Sequence, residues 1–440
     1  MNIGIVGAGA AGLTAAYDFT KAGHNVNVFE SAPFIGGQAS TIEVEGGRIE
    51  RGYHHLFTND SDIIELMDEV GIKDDLQWFP STVGIYTGDR VYNFITPLDL
   101  MRFSPLPVLD RIRLGLITLR LRRHKDWRSL ETYTANDWIL EHAGSRVHGV
   151  VWGPLLTGKF GEAASKVGMP WFWSKIQTRF ASRRGFGREV LGYLPKSFDV
   201  VFDTLRSEIE TAGGKVLLET PVERVLVKNG MAHGLRFRLP SGTLEECNFD
   251  LILATVPSFT FVKLVELPKE YRSMLTGVEY LAASVIILEM DRPLTSVYWM
   301  NIADDEVPFL GIIEHTNLIP SENYNGNHLL YLTNYFDRRN PLFNWTGEKL
   351  LEHYLPYLHR FNHDFERSWI KRFHYNKVSA AQPIIGTNYS SKLPDHRTPV
   401  RQLYLANTTQ IYPEDRGTNY SVRMGRQVAS MMMTDAAAGI

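Results

Sequence analysis

One cysteine, Cys247, stands in 440 residues. That count excludes intramolecular disulfides, cysteine-based zinc clusters and a Cys-x-x-Cys redox pair, and no other metal spacing emerges. Charge of one sign is equally scarce: 46 Lys and Arg stand against 49 Asp and Glu, a net of −3. No global field points to nucleic acid as a partner. Long hydrophobic runs are missing too, with no stretch of about 18 uncharged apolar residues, so no spanning helix is expected. Met1-Asn2 leads straight into Ile3-Gly4-Ile5-Val6 without a basic region or cleavage site. A cytoplasmic protein, at most peripheral to a membrane, is therefore expected. Internal repeats, low-complexity tracts and the Gly-x-Ser-x-Gly elbow of a hydrolase are absent. What remains is an ordinary globular composition, 44% hydrophobic and 22% charged, long enough for two to three domains.

The strongest signal opens the chain. Asn2–Val6 reads as a buried strand, followed by Gly7-Ala8-Gly9-Ala10-Ala11-Gly12, helical spacing over Leu13–Phe19, and a second strand ending on Glu30. Each part has a physical task in holding a dinucleotide. Gly7 allows the tight turn, Gly9 lets the backbone approach a pyrophosphate, and Gly12 lets helix and strand pack closely. The amides at the helix start, Ala10 and Ala11 among them, face the phosphates. Glu30 accepts hydrogen bonds from a ribose diol.

Ser31-Ala32-Pro33-Phe34-Ile35-Gly36-Gly37-Gln38-Ala39-Ser40 follows without a gap. This stretch resembles the second signature of the FAD-dependent amine oxidase superfamily. That group includes monoamine oxidases, protoporphyrinogen oxidases, phytoene-type desaturases and, more distantly, UDP-galactopyranose mutases. The resemblance implies non-covalent FAD, with Ser31, Gly36, Gly37, Gln38 and Ala39 along the diphosphate and ribityl chain. Gln38 stands where the family usually has Arg, so a charge contact becomes a neutral hydrogen bond. Glu50-Arg51-Gly52-Tyr53-His54-His55-Leu56-Phe57 is similar to a family segment that passes near the flavin ring. It implies cofactor contacts for Gly52 and Tyr53 and offers His54 and His55 as donors or proton shuttles, without choosing between them.

Two later pieces extend the likeness. Val222 matches a position whose backbone meets adenine, and Ala406-Asn407 stands where the family has Gly-Asp. Asn419, Tyr420 and Ser421 open a helix read as running through Met433, whose amides the resemblance aims at the flavin ring. Cys247 is far in sequence from the ring segments, so no cysteinyl flavin link is expected.

The expected fold is α/β: a Rossmann-like FAD-binding domain from 1–79, 191–257 and 386–440, with a second α+β substrate domain from 80–190 and 258–385 under a helical cap. The expected function is an FAD-dependent oxidoreductase, an oxidase or desaturase taking a hydride from a C–H bond of an apolar or lipid-like substrate. Only one dinucleotide fingerprint occurs, so oxygen, a quinone or another carrier is the expected electron acceptor. Two alternatives stay open. One is a redox-neutral sugar-nucleotide mutase gripping a diphosphate through Arg179, Arg183, Arg184 and Arg338; the other is a non-catalytic FAD-binding subunit.

Within the substrate segments, Arg102 to Arg128 holds eight Lys and Arg against two acids, with Leu and Ile at helical spacing. Such a stretch suits a membrane interface or, equally, a helix packed on the core with solvated arginines. Trp152–Gly161 reads as a turn carrying Lys159 at the surface, and Asp337-Arg338-Arg339 as a solvated loop.

Overall fold

The computed structural model describes residues 1–184 and 188–439, the side chains of Arg184 and Arg188 apart. Five parallel strands form one sheet, in the order Lys215–Leu217, Asn25–Phe29, Asn2–Val6, Leu251–Ala254, Leu403–Leu405. Leu251–Ala254 is buried throughout and Asn2–Val6 at all but its first residue. Both faces are covered, which is why these strands are apolar runs rather than alternations. The helices Ala10–Lys21, Asp199–Thr211 and Thr418–Ala438 share the core of one face. The antiparallel ribbon Val222–Lys228, Met231–Arg238, Leu244–Asn248 covers the other, setting Val225, Leu235 and Phe237 against Ile252 and Ala254.

The first and last helices touch backbone to backbone. A Cβ on Gly425 would lie 2.5 Å from the carbonyl oxygen of Ala11, so only glycine permits that approach. The chain's second strand lies on one side of the first and Leu251–Ala254 on the other. The sheet order therefore reverses at the carboxyl end of Asn2–Val6, where open α/β sheets hold their ligands. Gly7–Gly12 sits there.

A second sheet has seven strands, in the order Ile370–Pro383, Tyr280–Met290, His328–Asp337, Gly311–Glu314, Trp299–Ile302, Val83–Thr87, Arg90–Asn93. Every residue of Tyr280–Met290 is buried. Ile286, Leu288 and Met290 pack with Leu350, Leu351 and Tyr354 of the helix Gly347–Leu358. Val285 and Ile287 join the core of the parallel sheet instead. The two sheets are thus welded along one strand.

Helices Val108–Arg123, Ala135–Ala143, Gly153–Phe160 and Met169–Ala181 form the cap around a core of their own. Two expectations need correction here. Gly153–Phe160 is a helix rather than a turn; Pro154 falls in its first turn, where a missing amide proton costs nothing. The C-terminal helix continues past Met433 to Ala438, where Gly439 ends it in a left-handed conformation.

Val108–Arg123 buries only Asp110, Leu114 and Leu121. Its large apolar residues Leu109, Ile112, Leu116 and Leu119 face outward, Leu109 at 80% and Leu116 at 62% exposure. That spacing makes one seam along the helix, open to solvent. Among the described residues no helix is long and apolar enough to cross a membrane.

Candidate active site

A cavity of about 1070 Å³ lies between the parallel sheet, the seven-stranded sheet and the cap. Of the residues singled out in the sequence, Gly7, Gly9, Ala10, Ala11, Glu30, Ser31, Gly36, Gly37, Gln38, Ala39, Gly52, Tyr53, His54, His55, Asn407, Asn419, Tyr420 and Ser421 line it. Gly12 and Val222 do not. Gly12 is instead pressed on the preceding loop, where a Cβ would come 2.0 Å from the carbonyl oxygen of Gly7.

At the glycine end, two loops meet edge to edge. Gly36 donates its amide to the Ala8 carbonyl at 2.9 Å, and Gly9 and Gly36 form a bridge. Gly37, at φ +58°, would carry a Cβ 3.1 Å from Gly9 Cα. Glu30 braces the same corner: Oε2 accepts from Ala8 N–H at 2.8 Å and Oε1 from Ala32 N–H at 2.9 Å. Arg51, which sequence reasoning passed over, also lines this end; its guanidinium lies 4.1 Å from the Phe34 ring centroid and donates to Asn376 Oδ1.

Several polar side chains on the wall are already committed. Asn407 accepts from the Thr409 amide and hydroxyl and donates to the Val256 carbonyl and Ser258 Oγ. Asn419 accepts from Ile63 N–H and donates to Asp62. Each therefore presents backbone rather than a free amide side chain. Gln38 donates to the Ala380 carbonyl and accepts from Arg416 Nη1 at 3.2 Å. A guanidinium from the other end of the chain stands beside the glutamine that occupies the family's arginine position.

His54 and His55 occupy the middle of the wall. Nδ1 of His54 lies 2.6 Å from the Gly52 carbonyl, and Nδ1 of His55 lies 3.0 Å from the Tyr298 hydroxyl. Burial pushes their pKa values down to about 4 and about 3. Both are neutral near pH 7. A carbonyl partner makes Nδ1 of His54 the donor, leaving Nε2 as an acceptor.

The cap end carries charge. Trp171, Phe172, Trp152 and Leu156 supply an apolar wall, yet Lys159 and Lys175 reach into it from the two cap helices. Lys159, expected at the surface, has 23% of its side chain accessible and lies 4.8 Å from the Trp171 ring centroid. Both ammonium groups converge on Asp415 Oδ2, Lys159 at 3.3 Å. Trp171 Nε1 at 2.8 Å and Gln382 Nε2 at 3.0 Å donate to the other oxygen. Burial pulls Asp415 up, but Lys159, Lys175 and Arg416 outweigh it and hold the carboxyl well below its usual range. Desolvation takes Lys175 down to about 8 against the pull of Asp415. In all, Arg51, Lys159, Lys175, Arg179, Lys377 and Arg416 face the cavity, against Glu30, Asp60 and Asp415.

Of the arginines that would grip a sugar-nucleotide diphosphate, only Arg179 lines the cavity among the described side chains. Arg338 is stacked on Phe259, its guanidinium 4.4 Å from the ring centroid, and Arg184 lies outside the described side chains.

Residues 10–430 match the family described as flavin containing amine oxidoreductase. The chain belongs to that family. Among relatives of this flavoprotein, the zeta-carotene desaturase of Synechocystis is 40% identical over 167 residues, covering 33% of this chain and 34% of the relative. The 15-cis-phytoene desaturase of Synechococcus elongatus is 23% identical over 321 residues, covering 68% and 67%. The match thus spans about a third of the Synechocystis enzyme's length. The solved structure of cyclohexylamine oxidase from Brevibacterium oxydans shares the fold, with a TM-score of 0.72 over 99% of each chain at 16% identity.

The glycine end of the family member suits a dinucleotide flavin on two observations. The first helical hydrogen bond runs from Leu13 N–H to the Gly9 carbonyl, which leaves the amides of Ala10, Ala11 and Gly12 without an acceptor inside the helix. A Cβ built on Gly9 meets only Gly37 Cα, at 3.8 Å, so the space above it belongs to the cavity. The amides and the space together are what an anionic, phosphate-bearing group requires.

Proposed function

We propose that this chain is an FAD-dependent oxidoreductase, an oxidase or desaturase, which binds FAD non-covalently and removes a hydride from a C–H bond of an apolar or lipid-like substrate. The observation that carries the reading is one cavity joining a dinucleotide-type glycine corner to an aromatic cap. In domain terms, 1–79, 191–257 and 386–440 hold FAD, while 80–190 and 258–385 hold substrate. Ala10 and Ala11 would meet the pyrophosphate with their amides, Arg51 and Gln38 would flank it, and Glu30 would accept from the ribose. The amides of Asn419 and Tyr420, at the start of the C-terminal helix, would face the ring. When bound, FAD supplies the hydride-accepting atom; oxygen, a quinone or another carrier receives the electrons.

The chain's own part is alignment and exclusion of water. Trp152, Trp171, Phe172 and Trp299 give the substrate a dry wall, and burial strengthens every polar contact made there. His54 and His55, neutral in this setting, act as acceptors or relays rather than as cationic acids.

The outward seam of Val108–Arg123 supports a peripheral membrane contact. Leu109, Ile112, Leu116 and Leu119 would enter the interface while Arg120, Arg122 and Arg123 meet anionic headgroups. Co-sedimentation with anionic vesicles at low salt tests this; binding that weakens as salt rises and vanishes in Arg120→Glu/Arg122→Glu/Arg123→Glu is expected. Wild-type protein left in the supernatant would remove the contact from the proposal.

For the activity, the purified chain should carry one flavin that heat or acid releases as free FAD. Anaerobic addition of polyene or other lipid-like substrates should bleach its visible absorbance, and air or a quinone should restore it. Colour that stays with the precipitate refutes non-covalent binding, and a chain that holds no flavin refutes the whole reading.

A further inference from the structure

We propose that the cap end of the cavity is an anion subsite, so that the substrate is an apolar molecule bearing one carboxylate-like group, and that amines are disfavoured. The inference rests on the oxidoreductase reading and narrows its substrate class. Three cations, Lys159, Lys175 and Arg179, stand on the cap helices at this end, and Arg416 extends from beside Asp415 toward Gln38. Arg179 is matched by Glu189 at 3.5 Å. Asp60, also on the wall, is committed to the Phe57 amide at 2.8 Å. That leaves Asp415 as the carboxylate shared by Lys159 and Lys175, with Arg416 directly beside it in sequence.

Asp415 has little left to offer. Its two oxygens already receive Trp171, Gln382 and both lysines. The donors are in the opposite condition. Each ammonium has three protons. Arg416 spends Nη1 on Gln38 and Nη2 on the Tyr335 hydroxyl, while its Nε is buried with no partner. Positive charge held out of bulk water is costly unless an anion arrives to share it. A guest carboxylate supplies both the charge and the acceptors.

Position separates Lys159 and Lys175 from the cofactor's phosphates, whereas Arg416, bonded to Gln38, reaches toward them. Lys159 and Lys175 stand on cap helices Gly153–Phe160 and Met169–Ala181, not on the glycine loops. The aromatic wall beside them, Trp171 and Phe172 with Leu156, suits the apolar body of such a molecule. An ammonium placed among these cations would be repelled.

Retinoate, retinol and retinylamine share one polyene body and differ in the head group. Equilibrium dialysis against the flavin-loaded full chain should give the order carboxylate, alcohol, amine. Retinoate should bind roughly tenfold or more tighter than retinol, the range for a hydrogen bond to a charged group. Lys159→Met and Lys175→Met should each erode that preference, and Lys175→Arg should keep it. Equal binding of the three probes by the wild-type chain overturns the inference. So does a pair of Met variants that lower the midpoint potential of the flavin but leave the retinoate preference intact, since the cluster then serves the ring. Flavin absorbance of the same samples tells the two readings apart: a flavin-loaded chain without head-group preference overturns the subsite and leaves the oxidoreductase standing.

Discussion

The two ends of the cavity are built on opposite principles. At the glycine end, Gly9, Gly36 and Gly37 meet without side chains, and backbone amides held by local turns stand beside the side chains of Glu30, Gln38 and Arg51. At the cap end the wall is made of large side chains, and its charges come from residues as far apart as Lys159 and Asp415. The amides of such a corner need correct local backbone and little else. A site of buried side-chain charge depends on long-range packing, and each member changes the energy of the others.

The largest effect expected tests the first half of that contrast. In Gly9→Val the added Cβ has only Gly37 Cα near it and the backbone, at φ −80°, accepts any residue. The variant should fold with an unchanged circular dichroism spectrum and hold no flavin. Retained flavin would mean that the space above Gly9 is not the pyrophosphate's. Asp415→Ala probes the other half. Removing the carboxylate leaves two lysines unmatched, and a loss of about 3 kcal/mol is expected, the lower end for a buried pair because 37% of the Lys175 side chain remains accessible. Denaturant midpoints check it; a loss below about 1 kcal/mol, the worth of an exposed pair, would show the cluster to be solvated.

Glu30→Ala should cost about 1.5–3 kcal/mol of FAD binding, roughly ten- to hundredfold in affinity, if the ribose contact holds. Because Glu30 also accepts from Ala8 and Ala32, part of that loss should appear as a looser loop in hydrogen exchange. Glu314→Gln sharpens the comparison through pH. Glu314 lies in the seven-stranded sheet, accepts from the Leu294 and Thr295 amides through Oε2, and has Oε1 buried without a partner. Burial raises its pKa from 4.5 to about 8. The folded state keeps a proton that the unfolded chain loses, so this group's stabilisation is full below pH 4.5 and is lost as pH rises toward 8. The slope is at most about 1.4 kcal/mol per pH unit. The Gln variant cannot titrate and should gain on wild type across that window. Equal slopes would mean that Glu314 is ionised when folded. The smallest effect belongs to Arg339→Ala. Its guanidinium is exposed and paired with Asp337 at the end of the strand His328–Asp337, outside the cavity lining, so neither stability nor retinoate binding should change measurably.

Much of the glycine end was legible because its determinants are contiguous. Gly7 through Gly12, the acid Glu30 and the Gly36-Gly37 pair follow one another along a strand, a helix and a strand, and the chain needs no distant partner to bring them together. The cap end misled the same reading. Gly153-Pro154 and Gly158 look like a turn, yet proline is harmless in a first turn and the segment is a helix, which turns Lys159 into the cavity. Asp415-Arg416 precedes the last helix with no periodicity to mark it, and nothing nearby announces Lys175 as its partner.

By itself, then, the sequence determined the α/β class and the glycine corner with most of the residues that line it, Arg51 excepted, since short-range backbone geometry and apolar periodicity are written locally. It left the basic, apolar-striped stretch Arg102 to Arg128 as an open choice between core and membrane. Only the tertiary structure decided that Leu109, Ile112, Leu116 and Leu119 face outward, that Arg416 stands beside Gln38, and that Lys159, Lys175 and Asp415 form one cluster. Those outcomes depend on which faces of distant elements are buried against each other, and burial is a property of the packed chain rather than of any stretch within it.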